Sequence, residues 1–239
     1  MNIARISEVE RQARLAVLLT DGIGRRLFID LMERSGSAKE LLSLGVQEWR
    51  HWGLSDQVLQ GLANPAWHLA DNQLAWQVKE THHYLLFWDE IDYPKNLLRI
   101  DDIPPILWVR GRVECLYEPQ LAIVGSRHAT RAGMDTAFQF ARELARDGLT
   151  ITSGLAGGID TAAHEGALAH TTGTTVAVMG TGIDLMYPSR NKELAVKIMQ
   201  HGAIISEFPL GAKAQSWHFP QRNRLISGLS LGTLNVEAT

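Results

Sequence analysis

Short apolar runs alternate with amphipathic stretches along the second half of the chain. The runs Leu121–Val124, Leu149–Thr152 and Thr174–Val178 each lead into a glycine-rich turn. Two further runs, Ala203–Ser206 and Thr233–Val236, continue the alternation. Runs of this length, rich in β-branched residues and separated by stretches with helical spacing, are typical of buried parallel strands. The pattern predicts an α/β fold with a Rossmann-like, doubly wound, mostly parallel sheet.

The first 80 residues have a different pattern, in which apolar residues recur at helical spacing between glycine and proline breaks. Helices are predicted at 9–19, 25–33, 38–43, 47–51, 56–62 and 66–79. The break Thr20–Gly24 resembles the turn of a helix-hairpin-helix DNA-binding unit, although an ordinary corner between two helices needs the same glycines. We expect a small helical domain (SAM or helix-hairpin-helix-like) at 1–80 and a Rossmann-like DNA-binding domain at 81–239.

The last predicted strand, Thr233–Val236, is followed only by Glu237, Ala238 and Thr239. A strand of a parallel sheet is normally covered by helices on both faces, and the polar Asn235 is unusual for a buried strand. We therefore expect the Rossmann-like domain to be incomplete at its C-terminus and to gain stability when the chain is extended.

Composition narrows the classes of protein that fit. The chain of 239 residues is 45% apolar and has a formal net charge of −3, so its bulk charge does not attract polyanions. Residues 1–120 hold 13 Lys and Arg against 17 Asp and Glu, while residues 121–239 hold 10 against 9. A single cysteine, Cys115, excludes a disulfide framework and a cysteine-based zinc cluster. No apolar run of about 18 residues and no signal-peptide pattern occur, so we expect a cytoplasmic protein without a membrane span.

The glycine-rich turns predict a site for phosphate groups. Turns that follow parallel strands lie at one edge of the sheet, where glycine backbones and helix N-termini approach anionic ligands. Basic residues follow the same strands, namely Arg127, Arg190, Lys192, Arg222 and Arg224. A row of cations suits the spaced phosphates of a nucleic-acid backbone better than one nucleotide. Any one of these arginines could instead pair with Asp160, Asp184 or Glu207 and only fix the loops.

The sequence lacks the motifs of common nucleotide-dependent enzymes, since it contains neither Gly-x-Gly-x-x-Gly nor a P-loop. His164 follows Asp160 by four residues, which suits a general base held by a carboxylate, although a helix cap and a packing histidine explain the pair better. Glu207 follows a strand and is either catalytic or an acceptor for a neighbouring arginine. We expect no catalytic residue, no cofactor and no metal site.

Several spaced motifs occur together in the order found in the DNA processing protein A family, also called DprA or Smf. They are Val124–Arg127, Ser153–Asp160 with Ala163 and His164, Ala177–Gly182, Tyr187 and Pro188 with Asn191, Ser206–Pro209, and Phe219–Arg224. The resemblance is strong over about residues 80–239 and weaker over the helical part. It implies a cytoplasmic bacterial protein that has no established enzymatic activity, binds single-stranded DNA, forms a homodimer and helps to load the RecA recombinase in natural transformation.

The resemblance and the basic turns together predict one set of DNA- and phosphate-binding residues. The set is Gly125, Ser126, Arg127, Ser153, Gly154, Gly157, Gly158, Arg190, Lys192, Arg222, Asn223 and Arg224. The family usually has Lys or Arg where this chain has Gly157, so one cation is missing there. The alternative is a nucleotide-binding enzyme similar to the nucleoside monophosphate phosphoribohydrolases, whose Pro-Gly-Gly-x-Gly-Thr-x-x-Glu signature does not occur in this chain.

Overall fold

A computed structural model describes residues 6–237 of the chain. The expectations that concern residues 1–5 and 238–239, namely the missing signal peptide and part of the incomplete C-terminus, lie outside the described residues. The chain divides into two compact units. The first contains residues up to Thr81, Phe87–Tyr93 and Asp101–Pro105, and the second contains His82–Leu86, Pro94–Ile100 and the residues from Ile106 onward.

The first unit is helical. Its helices are α1 (Glu8–Leu18), α2 (Arg25–Ser35), α3 (Ala38–Leu44), α4 (Val46–His51), α5 (Asp56–Ala63) and α6 (Trp67–Lys79). Ser7, Ser37 and Ser55 begin α1, α3 and α5, where each side chain accepts an N–H of the first turn. Phe28 and Leu31 are enclosed in one apolar core with residues of the neighbouring helices. The predicted helices of this part are confirmed to within two residues.

The second unit is built on one sheet of seven strands. The strands are β1 (His83–Phe87), β2 (Ile106–Gly111), β3 (Gln120–Gly125), β4 (Thr150–Ser153), β5 (Thr175–Met179), β6 (Ala203–Ser206) and β7 (Thr233–Val236). Their order across the sheet is β1-β2-β6-β5-β4-β3-β7. The neighbouring pairs β6–β5, β5–β4, β4–β3 and β3–β7 are parallel, whereas β2 runs antiparallel to β6. The predicted Rossmann-like, mostly parallel sheet is confirmed.

The helices of the second unit connect its parallel strands and define the point at which the order of the strands reverses. They are α7 (Arg131–Arg146), α8 (Ile159–Leu168), α9 (Lys192–His201) and α10 (His218–Leu229). Strands β3 to β6 are added towards one side, after which α10 leads to β7 on the opposite side of β3. The carboxyl ends of strands beside such a switch point form the usual ligand crevice of an open α/β sheet.

Strand β7 lies at one edge of the sheet and pairs with β3 alone. Asn235 is exposed there, while Val236 is buried beside the apolar residues of α7 and α8. The polar residue that is unusual for a buried strand therefore has an ordinary explanation, since it points to solvent from an edge strand.

Candidate nucleic-acid interface

The turns after β3 and β4 and the start of α9 surround one open cavity of about 390 Å³. Arg127 enters it from the turn after β3, and Arg190 enters it from the segment before α9. Gly157 and Gly158 form part of its wall. The structure thus brings together residues that lie more than 60 positions apart, at the sheet edge where the sequence predicts a phosphate site.

The glycines at this edge make room for atoms of the protein itself. A Cβ on Gly125 would overlap with the Val236 carbonyl, and one on Gly158 would overlap with the Ser126 carbonyl. Gly158 also has a φ of +72°, which side chains rarely allow. The glycine pattern predicts the position of the ligand edge, but at these two positions its direct cause is the close approach of neighbouring backbone segments.

Three of the predicted cations extend into solvent. Arg127, Arg190 and Lys192 are exposed, and within residues 6–237 none of their side chains has an ion-pair or hydrogen-bond partner. The guanidinium of Arg127 lies 5.0 Å from the centre of the Phe219 ring, which holds it by a cation–π contact. The cation most clearly oriented by its neighbours is therefore Arg127, and its charge remains available to an anion.

Arg222 is enclosed, contrary to its predicted place on the accessible edge. Its side chain is 3% exposed and donates to the carbonyls of Gly154 and Val178. Burial lowers the pKa of Arg222 to about 10, which nearby Asp160 opposes and Arg127 reinforces. The guanidinium therefore stays charged at neutral pH and joins the turn after β4 to the last part of strand β5.

Arg224 forms an ion pair with Glu207. The Glu207 side chain is fully buried and follows β6, so the pair holds the middle of α10 against the end of that strand. The predicted alternative for Glu207, an acceptor for a neighbouring arginine, is confirmed. Between these two arginines, Asn223 is exposed on α10.

The predicted residues at the base of the turn after β4 also face the protein interior. The Ser153 hydroxyl is fully buried and donates to the Ile123 carbonyl at 2.6 Å. Asp160 lies inside the first turn of α8 and accepts the Ala156 N–H at 3.2 Å, so it stabilises the turn from within the helix. Burial raises the pKa of Asp160, and the charge of Arg222 opposes that rise.

His164 is a core residue. Its side chain is fully buried, and Nδ1 lies 2.7 Å from Thr175 Oγ1. Thr175 donates its hydroxyl hydrogen to the Ile151 carbonyl, so Nδ1 carries the proton and donates to Thr175. Burial lowers the pKa of His164 to about 3, with a further contribution from Arg222. The structure confirms the prediction of a packing histidine.

Three residues that shape this site have no role predicted from the sequence. Asn191 anchors the segment before α9 through its buried side chain. Glu237 follows β7 and accepts the Thr130 N–H at 2.7 Å at the beginning of α7. Phe219 lies under Arg127 and 5.6 Å from the ring of Tyr187. All three belong to motifs or strand ends that the sequence marks, although their partners are distant along the chain.

Two kinds of feature are absent from residues 6–237. No group of three or more His, Cys, Asp or Glu side chains is close enough together to hold a metal ion. No helix in that part of the chain has the length and apolar character needed to cross a membrane.

The fold defines the class of protein: a Rossmann-like α/β protein with exposed basic residues at the carboxyl edge of its sheet and without the Gly-x-Gly-x-x-Gly motif of dinucleotide-binding proteins. The family model for DNA recombination-mediator protein A matches residues 84–239. The chain therefore belongs to this family, as the resemblance predicts.

Relatives and solved structures agree with this assignment. Protein Smf of Escherichia coli K12 is 43% identical over 169 residues, which cover 70% of this chain and 45% of the relative. Protein Smf of Synechocystis is 35% identical over 213 residues, 87% of this chain and 52% of the relative. The chain thus spans about half the length of the curated relatives it matches.

The X-ray structure of DNA processing protein A from Streptococcus pneumoniae matches with a TM-score of 0.80 at 30% identity. The match covers 99% of this chain and 80% of that one. DNA processing protein A from Helicobacter pylori, described with a single-stranded DNA binding mode, matches with a TM-score of 0.59 at 31% identity. That match covers 65% of this chain and 69% of the other.

Proposed function

We propose that this chain binds single-stranded DNA through the phosphate backbone and acts in recombination by helping to load a RecA-type recombinase onto DNA during natural transformation. The observation that carries the proposal is the pair of exposed, unpaired guanidinium groups of Arg127 and Arg190 on one cavity. Two such groups at the carboxyl ends of the strands suit phosphodiesters of a flexible chain.

Two exposed aromatic rings, one of them in contact with the ring that holds Arg127, favour single strands over duplex DNA. Tyr187 is 48% exposed and its ring contacts Phe219, while Trp217 is 60% exposed at the start of α10. Unpaired bases stack on such rings without regard to sequence, whereas paired bases are hidden in the duplex. The related Helicobacter pylori protein, described with a single-stranded DNA binding mode, supports the same choice.

The remaining parts of the proposal concern the whole protein. We infer a homodimer, a RecA-type partner and the absence of nucleotide turnover, which are supported by membership of the recombination-mediator family. His164 and Glu207, the two residues that the sequence raises as possible catalytic groups, are enclosed, which supports a binding protein over an enzyme. We place Gly125, Ser126 and Lys192 along the path of the DNA backbone.

Salt-titrated binding of equal lengths of single-stranded and duplex DNA, with AMP as a third ligand, tests the proposal. We expect tighter binding of the single strand and little dependence on base sequence. If three to four phosphates are neutralised, the log–log salt slope is about −2 to −3, at about −0.7 for each phosphate. Equal affinity for duplex and single strand, or release of free base from AMP, would contradict the proposal. Recombinase assembly on the protein-bound strand tests the partner.

A further inference from the structure

Helix α7 begins without an acidic residue of its own. Its N-cap is Thr130, whose hydroxyl accepts the Gly133 N–H at 3.1 Å, and its first turn contains Arg131 and no Asp or Glu. A positive charge is unfavourable there, because the peptide dipoles at the N-terminal end of a helix favour an anion. In a local capping box, Glu or Gln would stand at the third helical position, which here is Gly133. The acidic half of the cap therefore has to come from elsewhere in the chain.

Glu237, which follows β7 and lies 107 positions away, supplies the carboxylate. Its Oε2 accepts the Thr130 N–H at 2.7 Å, and its Oε1 accepts a hydrogen bond from the Thr130 hydroxyl. A Cβ on Gly133 would overlap with this carboxylate, so the carboxylate lies over the first turn of α7. Glu237 and Thr130 thus form a capping box whose two members are brought together only by the fold.

The backbone of Glu237 is strained at the same position. Its φ is +51°, a left-handed value that residues other than glycine rarely adopt. Such strain persists where the surroundings determine the conformation, and it is concentrated at functional positions. The two hydrogen bonds to Thr130 are the contacts that hold Glu237 in this conformation as the chain leaves β7.

The turn that carries Arg127 is held at both ends by the last residues of β7. At its start, the Val236 carbonyl lies so close to Gly125 that a Cβ there would overlap with it. At its far end, Glu237 holds Thr130. The end of the edge strand therefore fixes the two points between which the turn runs.

Arg127 itself lies between anchored positions. The preceding residue, Ser126, accepts the Ile159 N–H with its carbonyl at 3.2 Å, which joins the turn to α8. The next three residues, Arg127 to Ala129, lead to the anchor at Thr130, and Arg127 and Ala129 both line the open cavity. The backbone position of Arg127 thus depends on the anchor that follows it as well as on the one that precedes it.

We propose that Glu237 is a positioning residue for Arg127. By capping α7 it fixes the far end of the turn, so that the guanidinium is presented to the DNA from a fixed backbone. A fixed turn loses less conformational entropy on binding, which raises affinity without a new contact. The inference rests on the proposed function, since it concerns the affinity of the same edge for DNA. It assigns that affinity in part to a carboxylate, a group with the same sign of charge as the ligand.

The sign of the effect distinguishes positioning from charge. Removing a carboxylate close to a DNA-binding edge reduces repulsion of phosphate and by itself tightens binding. We expect Glu237→Ala instead to weaken binding of a single-stranded oligonucleotide roughly fivefold, the factor that corresponds to the loss of one helix cap. The log–log salt slope should stay unchanged, because the number of cations at the edge is unchanged. Glu237→Gln should keep most of the affinity, because its amide oxygen still accepts the Thr130 N–H.

Two variants serve as matched controls. Ser55→Ala removes the N-cap of α5 in the first unit. It should lower the thermal midpoint by about 2–4 °C, as Glu237→Ala should, and leave DNA affinity unchanged. Glu193→Ala removes an exposed carboxylate from the first turn of α9 and should leave the affinity unchanged or raise it. All binding is measured well below the lowest midpoint, so that every variant is folded.

A double-mutant cycle between positions 127 and 237 measures the coupling. Glu237→Ala should weaken binding when Arg127 is present. It should change little in the Arg127→Ala background, because no guanidinium is then left to position.

The outcomes separate this inference from the proposed function. A lower thermal midpoint in Glu237→Ala with unchanged affinity would overturn it, because Glu237 would then be a structural cap only. Tighter binding by Glu237→Gln would also overturn it, since the carboxylate would then act only by repelling phosphate. Equal losses from Glu237→Ala in both backgrounds would show that the two positions are independent and would reject it as well. In each of these cases the wild type still binds single-stranded DNA, whereas a wild type that binds none would overturn the proposed function and this inference together.

Discussion

Two pairs of arginines at the same edge of the sheet differ in depth. Arg127 and Arg190 extend into an open cavity and have no ion-pair partner in the described residues. Arg222 and Arg224, in the middle of α10, are bonded to the protein itself: the buried Arg222 donates to two backbone carbonyls, and the half-buried Arg224 pairs with Glu207. The exposed pair retains its charge for a ligand, whereas the enclosed pair uses its hydrogen bonds to fix the turns.

This difference shows that a basic residue at the carboxyl edge of the sheet is not thereby available to contact a ligand. A buried guanidinium needs acceptors from the protein, since leaving it unpaired would be far costlier than any gain from a ligand. The carbonyls of Gly154 and Val178 and the carboxylate of Asp160 provide that environment for Arg222. We therefore expect the enclosed pair to control stability and the exposed pair to control affinity.

The largest effect is expected from Arg222→Ala. Its removal leaves two carbonyls without their donor and Asp160 without a nearby cation, so the free energy of unfolding should fall by about 3–5 kcal/mol. Urea unfolding measures this change, with the adjacent, exposed Asn223→Ala as the control. A stable Arg222→Ala or Arg222→Lys protein with weakened DNA binding would show that Arg222 contacts the ligand, and the division into two pairs would be wrong.

Arg127→Ala should have the opposite profile. The thermal midpoint should stay unchanged, while affinity for single-stranded DNA falls by about 1.5–3 kcal/mol, ten- to a hundredfold or slightly more. The salt slope should flatten by about 0.7, because one phosphate contact is lost. Arg142→Ala, an exposed position in the C-terminal half of α7, is the control. Unchanged affinity with an intact circular dichroism spectrum would make Arg127 a structural residue.

The smallest change in the free energy of unfolding, counted per pH unit, is expected from the titration of the buried His164. Its folded pKa of about 3 lies below the ordinary value of 6.5, so the unfolded chain takes up a proton first as the pH falls. This contribution to stability is complete above pH 6.5 and is lost towards pH 3, at about 1.4 kcal/mol per pH unit. The His164→Asn variant should lack this part of the slope and keep the donor to Thr175.

Urea unfolding of wild type and His164→Asn between pH 7 and about 5 isolates this effect, because most carboxylates are still ionised there. The exposed His128→Asn is the control. Parallel stability curves for wild type and His164→Asn would mean that His164 is accessible to solvent protons in the folded state. The surroundings of His164 would then admit water more readily than its hydrogen bond to Thr175 indicates.

Much of the fold follows from local pattern. The strands β4 and β6, the helices of the first unit and the glycine-rich turns are all predictable, because side-chain periodicity and turn residues act over a few positions. The motifs from Val124 to Arg224 also identify the family, which the match over residues 84–239 confirms. The predicted domain boundary and the roles of the individual site residues in binding DNA remain predictions.

The candidate site was predictable as a place but not residue by residue. The sequence marks Arg127, Arg190 and Arg222 alike, because each follows a strand or begins a helix. Nothing local distinguishes the glycine that lies against the Glu237 carboxylate from the glycine that lies against a backbone carbonyl. The buried anchor Asn191 has partners more than 30 positions away, and such contacts leave no periodic trace.

The sequence by itself determined the order of strands and helices along the chain, the basic residues that follow the strands, and the family, since these depend on residue type and spacing. Only the tertiary structure decided which arginines are bonded to the protein itself and which extend into the open cavity. The physical reason is that charge is a property of the residue, whereas desolvation and hydrogen-bond partners are properties of its surroundings. Those surroundings form only when β3, α8, α9 and α10 meet at one edge of the sheet.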